Sequence, residues 1–301
     1  MKNVLQDTRP DIVLVHGDTT TTMAAALSAF YMNIDVGHVE AGLRTHNLRS
    51  PFPEELNRHL VSKIANWHFA PTERNKNDLI AEGIDQDKIF VTGNTVIDAL
   101  FLCLNNISKS KKLIKSINTS LSKQIPFSFN TKNFILITAH RRENFGESFM
   151  NIFRAIKDLS INFKNMHFVY PVHPNPNVKD MAYEILSEID NVHLINPVSY
   201  EEFCILMKNC YLVITDSGGI QEEAPSIGKP VLVLRENTER PEAIVSGTAR
   251  LVGSSRKNIV NNVTKLIKDK EDYNKMSNIL NPYGDGTAAE KIIQKLKEIY
   301  E

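Results

Sequence analysis

Five titratable residues of this 301-residue chain stand just beyond apolar runs: Asp18 after Ile12–Val15, Glu40 after Asp35–Val39, His140 after Phe134–Thr138, His173 after His167–Pro171 and Asp216 after Tyr211–Ile214. Carboxylates and imidazoles are the side chains that take up and release protons near neutral pH. If the runs are parallel strands, the five can converge on one cleft beyond the strand ends, and acid–base chemistry is what that cleft would perform. Beside them, Asp216-Ser217-Gly218-Gly219-Ile220-Gln221-Glu222-Glu223 leads from an apolar run into a helix across paired glycines. Glycine lets a backbone turn sharply and approach a ligand. The unsatisfied N–H groups of a helix start, with the positive end of the helix dipole, suit an anion such as phosphate.

Each position also has a structural alternative. Asp18 precedes Thr19-Thr20 and can cap a helix, and Asp216 or Ser217 can cap the helix after the glycines. Glu54 and Glu55 follow Pro53, where a helix dipole favours acids. His173 lies between Pro171 and Pro174 and can simply shape a rigid loop. His140-Arg141-Arg142-Glu143-Asn144 gathers cations, acid and amide in one loop, either as a surface salt-bridge cluster or as a site where Arg141 contacts substrate. Glu40, followed by Ala41-Gly42, has no evident structural duty. Glu222 and Glu223 would repel a bound phosphate unless one of them reaches a ribose hydroxyl, and that use is assigned to one of the pair.

The elements that must position these residues alternate. Strands are expected at Ile12–Val15, Asp35–Val39, Trp67–Ala70 and Ile89–Val91, with helices at Met23–Tyr31, from Glu54, at 73–82 and from Thr95 to about Asn105. After a Lys-, Ser- and Asn-rich stretch the scheme repeats: strands at Phe134–Thr138, His167–Pro171, Val192–Ile195, Tyr211–Ile214, Val231–Leu234 and Ala249–Val252, with helices between them. Such alternation implies βαβ units and parallel sheets. At this length two cores are expected. The division reads as a first Rossmann-like domain over 1–107, a linker over 108–131, a second over 132–280, and a C-terminal helix within 281–301 packing back toward the first domain.

Thirty-five basic residues balance thirty-five acidic ones, so no net field draws nucleic acid or an anionic membrane. Cys103, Cys204 and Cys210 lack metal-ligand spacing and read as small core residues of a reducing cytoplasm. There is no Gly-x-Gly-x-x-Gly after a strand, no Walker A lysine loop and no zinc spacing, so neither a nicotinamide cofactor, ATP hydrolysis nor a metal is expected.

Read in order, His16-Gly17-Asp18-Thr19-Thr20, His38-Val39-Glu40-Ala41-Gly42-Leu43-Arg44, Pro51-Phe52-Pro53-Glu54-Glu55, Gly93-Asn94-Thr95, His140-Arg141-Arg142-Glu143-Asn144, Tyr170-Pro171-Val172-His173, Asp216 through Pro225 and Thr238-Glu239-Arg240-Pro241-Glu242 resemble the bacterial non-hydrolysing UDP-N-acetylglucosamine 2-epimerases along essentially the whole chain. The resemblance implies a glycosyltransferase-B-like α/β fold of two doubly wound Rossmann-like domains. It implies interconversion of UDP-GlcNAc and UDP-ManNAc without a cofactor, by elimination of UDP to a 2-acetamidoglucal and re-addition. By position it implies Ser217, Gly218 and Gly219 at the diphosphate and Glu223 at the ribose. Asp18, Glu40, Glu54 and His140 match its acid–base residues. His173 and Glu54 match contacts to a second, activating UDP-GlcNAc. A cytoplasmic homodimer in cell-surface polysaccharide biosynthesis is the family expectation.

One departure stands out. The family pattern opens with a strand ending in Gly-Thr-Arg-Pro-Glu and further α/β units, whereas Thr8-Arg9-Pro10-Asp11 here aligns with the loop entering a later strand. The sequence is therefore expected to be N-terminally incomplete, leaving an apolar sheet edge open in the first domain. Two alternatives follow: a hydrolysing relative that releases free ManNAc, and an inactive UDP-sugar-binding chain that needs a separate N-terminal piece.

Overall fold

Ten strands alternate with helices in the computed structural model, which describes residues 1–301. Two units separate, residues 1–98 with 282–301 and residues 99–281. The first contains α1 (Lys2–Thr8), β1 (Ile12–His16), α2 (Thr20–Tyr31), β2 (Asp35–Val39), α3 (Glu54–Ile64), β3 (Trp67–Ala70), α4 (Glu73–Ala81) and β4 (Ile89–Val91). Its four strands lie parallel in the order β1-β2-β3-β4. Val15 and Val36 project from the sheet onto Ala26, Ala29 and Val61 of α2 and α3. Small alanines on α2 let that helix lie close to the strands. β1 is the edge strand, and Leu14 on it is about half exposed (49%).

The chain leaves the first unit within α5 (Thr95–Lys109). The second unit continues with α6 (Lys111–Leu121), β5 (Phe134–Thr138), α7 (Glu147–Asn162), β6 (His167–Pro171), α8 (Pro176–Leu186), β7 (Val192–Ile195), α9 (Tyr200–Asn209), β8 (Val213–Thr215), α10 (Gly218–Ser226), β9 (Val231–Val233), α11 (Pro241–Ser246), β10 (Ala249–Leu251), α12 (Arg256–Lys268) and α13 (Lys270–Ser277). Its sheet runs β10-β9-β8-β5-β6-β7, all parallel. This is the doubly wound order, and the chain reverses direction across the sheet between β5 and β8. On α7, Phe149, Ile152, Phe153, Ile156 and Leu159 recur at helical spacing and are fully buried. Each such side chain contributes roughly 1.5–3 kcal/mol by burial. Ser199 and Glu202 form a reciprocal capping box that starts α9.

Residues 108–131, read from composition as a linker, contain α6. Ser110 accepts from the Leu113 amide at 3.2 Å, and Ile117 and Leu121, one turn apart, are buried. The lysines occupy the exposed face. An average over both faces hides a one-sided apolar stripe.

The last helix, α14 (Ala288–Tyr300), belongs to the first unit. Asp98 accepts from the amides of Ala288 and Ala289 at 3.1 and 2.8 Å, and Tyr300 Oη donates to Asp35 Oδ2 at 2.6 Å while accepting from Trp67 Nε1. No helix is long and apolar enough to cross a membrane.

Candidate active site

In the first unit, three strand-end and helix-start segments carry the acids. Beyond β1 the chain turns at Gly17 (φ +70°), and Thr19, not Asp18, caps α2 by accepting from the Thr22 amide. Asp18 is instead held by α3. Arg58 Nε and Nη2 both donate to Asp18 Oδ2, at 3.0 and 2.6 Å, and Asn57 Nδ2 donates to the Asp18 carbonyl at 2.8 Å. A helix-capping duty is thereby ruled out for this carboxylate.

Glu40, just beyond β2, has φ +64°, a left-handed conformation seldom adopted by a residue with a side chain. Its carboxylate pairs with His16 Nε2 at 3.1 Å. Such backbone strain concentrates where a side chain must be aimed.

The neighbours Glu54 and Glu55 divide their duties. Glu55 is fully buried. Its Oε1 accepts from the amides of Thr45 and His46, both at 2.9 Å, and its Oε2 accepts from Arg58 Nη1 at 2.8 Å. Burial raises its pKa, but Arg58 and the two amides outweigh it and hold the carboxyl below its usual range. Glu55 is thus a staple for the loop after β2. Glu54 opens α3 and is half-buried.

In the second unit, the turn from β8 into α10 has a different construction from the one its glycines suggest. Neither Gly218 nor Gly219 lies in the left-handed region. Gly218 is required by proximity: a Cβ there would meet the Arg240 guanidinium, 2.8 Å from Cζ, and lie 3.0 Å from Glu239 Oε1. Ser217 occupies the N-cap position without a side-chain cap bond, so its hydroxyl and the first-turn amides remain for an anion.

The acids that would repel that anion are each held by a partner, Glu222 by a cation and Glu223 by a neutral hydroxyl. Arg240 Nε donates to Glu222 Oε1, and its Nη1 donates to Glu239 Oε1 at 2.6 Å. Arg235 joins Glu239 Oε2 and Glu143 Oε1, both at 2.7 Å. Burial works to raise the Glu239 pKa, yet the two guanidiniums bring it down to about 2. Glu223, the second acid, accepts from Tyr200 Oη at 2.7 Å. Burial raises its pKa, and the tyrosine bond opposes that only in part.

At the point where the winding of this sheet reverses, His140 follows β5 and Asp216 follows β8. Asp216 is fully buried, so it is not the exposed cap its sequence position allows. Its Oδ2 accepts from the amides of His140 and Arg141, both at 2.8 Å, and from Asn144 Nδ2 at 3.2 Å. His140 and His173 stack with ring centroids 5.6 Å apart. Both line a cavity of about 390 Å³ together with Ser217, Ile220, Val198, Tyr200 and Phe203. Burial lowers the His140 pKa, which Asp216 opposes and Arg141 reinforces.

The cavity therefore brings together three residues expected from sequence, His140, His173 and Ser217. Arg141 adds its backbone amide to the Asp216 bonds. Asp18, Glu40 and Glu54 lie in the first unit. Sequence reasoning missed Arg58, Tyr200, Phe203 and the role of Arg240. Arg240 stands in a noticed segment, Thr238-Glu239-Arg240-Pro241-Glu242, but its partner Glu222 is 18 residues away. Nothing in local spacing marks such a pair.

Residues 1–297 match the family model described as UDP-N-acetylglucosamine 2-epimerase. The chain is 53% identical over 296 residues to the UDP-N-acetylglucosamine 2-epimerase of Campylobacter jejuni, an alignment that takes in 98% of this chain and 77% of that protein. Among solved structures it resembles the Neisseria meningitidis UDP-GlcNAc 2-epimerase bound to UDP-GlcNAc (TM-score 0.92, 53% identity, 99% of this chain and 79% of that one). It also resembles the Methanocaldococcus jannaschii enzyme in complex with UDP-GlcNAc and UDP (TM-score 0.83, 36% identity, 99% and 78%). The α/β architecture expected from sequence is that of these structures.

Proposed function

We propose, for a chain that belongs to the UDP-N-acetylglucosamine 2-epimerase family, that it interconverts UDP-GlcNAc and UDP-ManNAc by inverting C2 of the sugar. The observation that carries this reading is how the two acids at the start of α10 are held. Arg240 balances the charge of Glu222, so that acid does not oppose a diphosphate at the helix start, while Tyr200 holds Glu223 by a hydrogen bond where it can meet the ribose hydroxyls.

The chemistry assigned to the site follows from the substrate. The C2 proton is not next to a carbonyl, so removing it alone is unfavourable. Breaking the C1–O bond to UDP as the proton leaves gives a 2-acetamidoglucal. Re-addition of UDP at C1 with protonation of C2 on the other face gives the epimer. The steps need a base, an acid and stabilisation of the departing diphosphate. Asp18, Glu40, Glu54 and His140 are proposed for the proton transfers. Ser217, Gly218 and Gly219 hold the diphosphate, Glu223 accepts from the ribose hydroxyls, and Arg141 contacts the substrate. The apolar wall at Val198 and Phe203 suits the uracil ring. Homodimerisation, a cytoplasmic location and activation by a second UDP-GlcNAc near His173 and Glu54 belong to the proposal on the family resemblance.

The test is turnover of the 301-residue chain in deuterated water, followed by proton NMR. UDP-ManNAc carrying deuterium at C2 is the expected product. Retained C2 hydrogen would rule out the elimination, and release of free ManNAc would replace the assignment with a hydrolysing enzyme.

A further inference from the structure

The buried carboxylate of Asp216 has more to do than pin a loop. Three N–H donors, the amides of His140 and Arg141 and the side-chain amide of Asn144, converge on its Oδ2. That commitment fixes the rotation of the carboxylate. Its Oδ1 is buried without a hydrogen-bond partner, and His140 Nδ1 lies 3.3 Å away. A carboxylate only accepts, so the nitrogen facing it is the one that carries hydrogen.

We propose that Asp216 is a positioning residue that fixes His140 as the Nδ1–H tautomer and leaves its Nε2 as a lone-pair acceptor at the cavity. The stacked neighbour is set the opposite way. His173 Nδ1 accepts from the Asn175 amide at 3.2 Å, so its own proton sits on Nε2. The pair thus offers the cavity one acceptor and one donor. Groups of charge near His140 are Asp216 and Arg141, with His173 as the adjacent titratable ring. Resting on the epimerase reading, the inference makes His140 the proton acceptor of its reaction and gives Asp216 a part in the chemistry without contact to substrate.

Asp216→Asn tests this cleanly. The asparagine keeps an oxygen for the three N–H donors but turns an NH₂ toward Nδ1, which must then accept, moving the proton to Nε2. The tautomer is read directly by long-range proton–nitrogen NMR on the ¹⁵N-labelled full chain, with the His140 signals assigned by their loss in His140→Gln. Wild type should show Nδ1–H and the variant Nε2–H, with kcat for epimerisation down by at least about 10²-fold, the scale of a misplaced acid–base group. UDP affinity should stay unchanged. An Nε2–H His140 in the wild type, or the same tautomer in both chains, would overturn the proposal. Should the variant not fold, the wild-type spectrum alone decides. A wild type with the Nδ1–H tautomer that fails to interconvert the UDP-sugars would discard the epimerase reading and leave the tautomer assignment standing.

Discussion

Arg58 holds Asp18 by one oxygen, with Nε and Nη2 both on Oδ2, and leaves Oδ1 outside the clamp. The same guanidinium reaches back three residues to the buried Glu55 through Nη1. One cation on α3 therefore does two things at once: it orients a candidate proton-transfer group and balances a charge with no access to water.

Removing that cation should cost stability before it costs chemistry. Arg58→Met leaves Glu55 buried with two amide donors and the His59 ring 3.7 Å away, and breaking a buried pair this way typically costs about 3–5 kcal/mol. Urea denaturation should show a loss of that size. Arg58→Lys should recover part of it, because one ammonium can satisfy Glu55 but cannot place two donors on Asp18 Oδ2. A loss below about 1 kcal/mol, the size of an exposed pair, would mean Glu55 is reached by solvent.

The two glycines at the start of α10 should respond differently to alanine. At Gly218 the new methyl meets the guanidinium of Arg240, which Glu222 and Glu239 hold in place. At Gly219 it meets only Glu223 Oε2, at 4.0 Å, an ordinary contact. Calorimetric titration with UDP and thermal unfolding should both show a large loss for Gly218→Ala, on the order of 1–3 kcal/mol in stability. Gly219→Ala should remain near wild type in stability. Equal behaviour of the two would remove the close-approach argument.

Tyr200 donates to Glu223, the residue proposed for the ribose diol. Tyr200→Phe should weaken UDP binding about 10-fold, the scale of one hydrogen bond to a charged group. The same substitution should weaken binding of 2′-deoxy-UDP much less. Fluorescence or calorimetric titration with the two nucleotides checks this, and an equal loss for both would place Glu223 away from the ribose.

Three buried histidines should weaken the fold toward acid pH. Burial lowers His38 and His193 to about 4 and His68 to about 3, against about 6.5 in an unfolded chain. Below pH 6.5 the unfolded chain binds protons that the folded one refuses, so stability is full above that value and falls as pH drops toward 4. Each group weakens the fold by at most about 1.4 kcal/mol per pH unit across its window. Melting temperature measured from pH 7 to 4 should decline accordingly. His38→Gln keeps a donor for the Gly17 carbonyl, which His38 Nε2 meets at 2.8 Å, and its curve should be flatter; an unchanged slope would acquit His38.

Much of the architecture follows from local pattern alone. Short apolar runs such as Ile12–His16 and Phe134–Thr138 alternate with amphipathic stretches of helical period, and both signals are properties of neighbouring residues. The chemically marked residues are legible for the same reason: Asp18, Glu40, His140 and Asp216 all follow strands, where a parallel sheet opens to ligands. Helix α6 escaped because its lysines outweigh Ile117 and Leu121 in any average, though only the latter face the core.

What sequence could not decide is which acids the fold ties to structural partners. Glu54 and Glu55 are adjacent and alike, and only the fold buries one of them against Arg58. Glu222 and Glu223 differ only by the partners that other segments bring, Arg240 and Tyr200. Asp216 reads as a helix cap until the register of β5 beside β8 sets it against His140, 76 residues away. The residue types and their strand-end placement were fixed by local sequence. Their ionisation, orientation and division of labour arise from contacts between distant segments, whose geometry depends on strand register and packing that no local window contains.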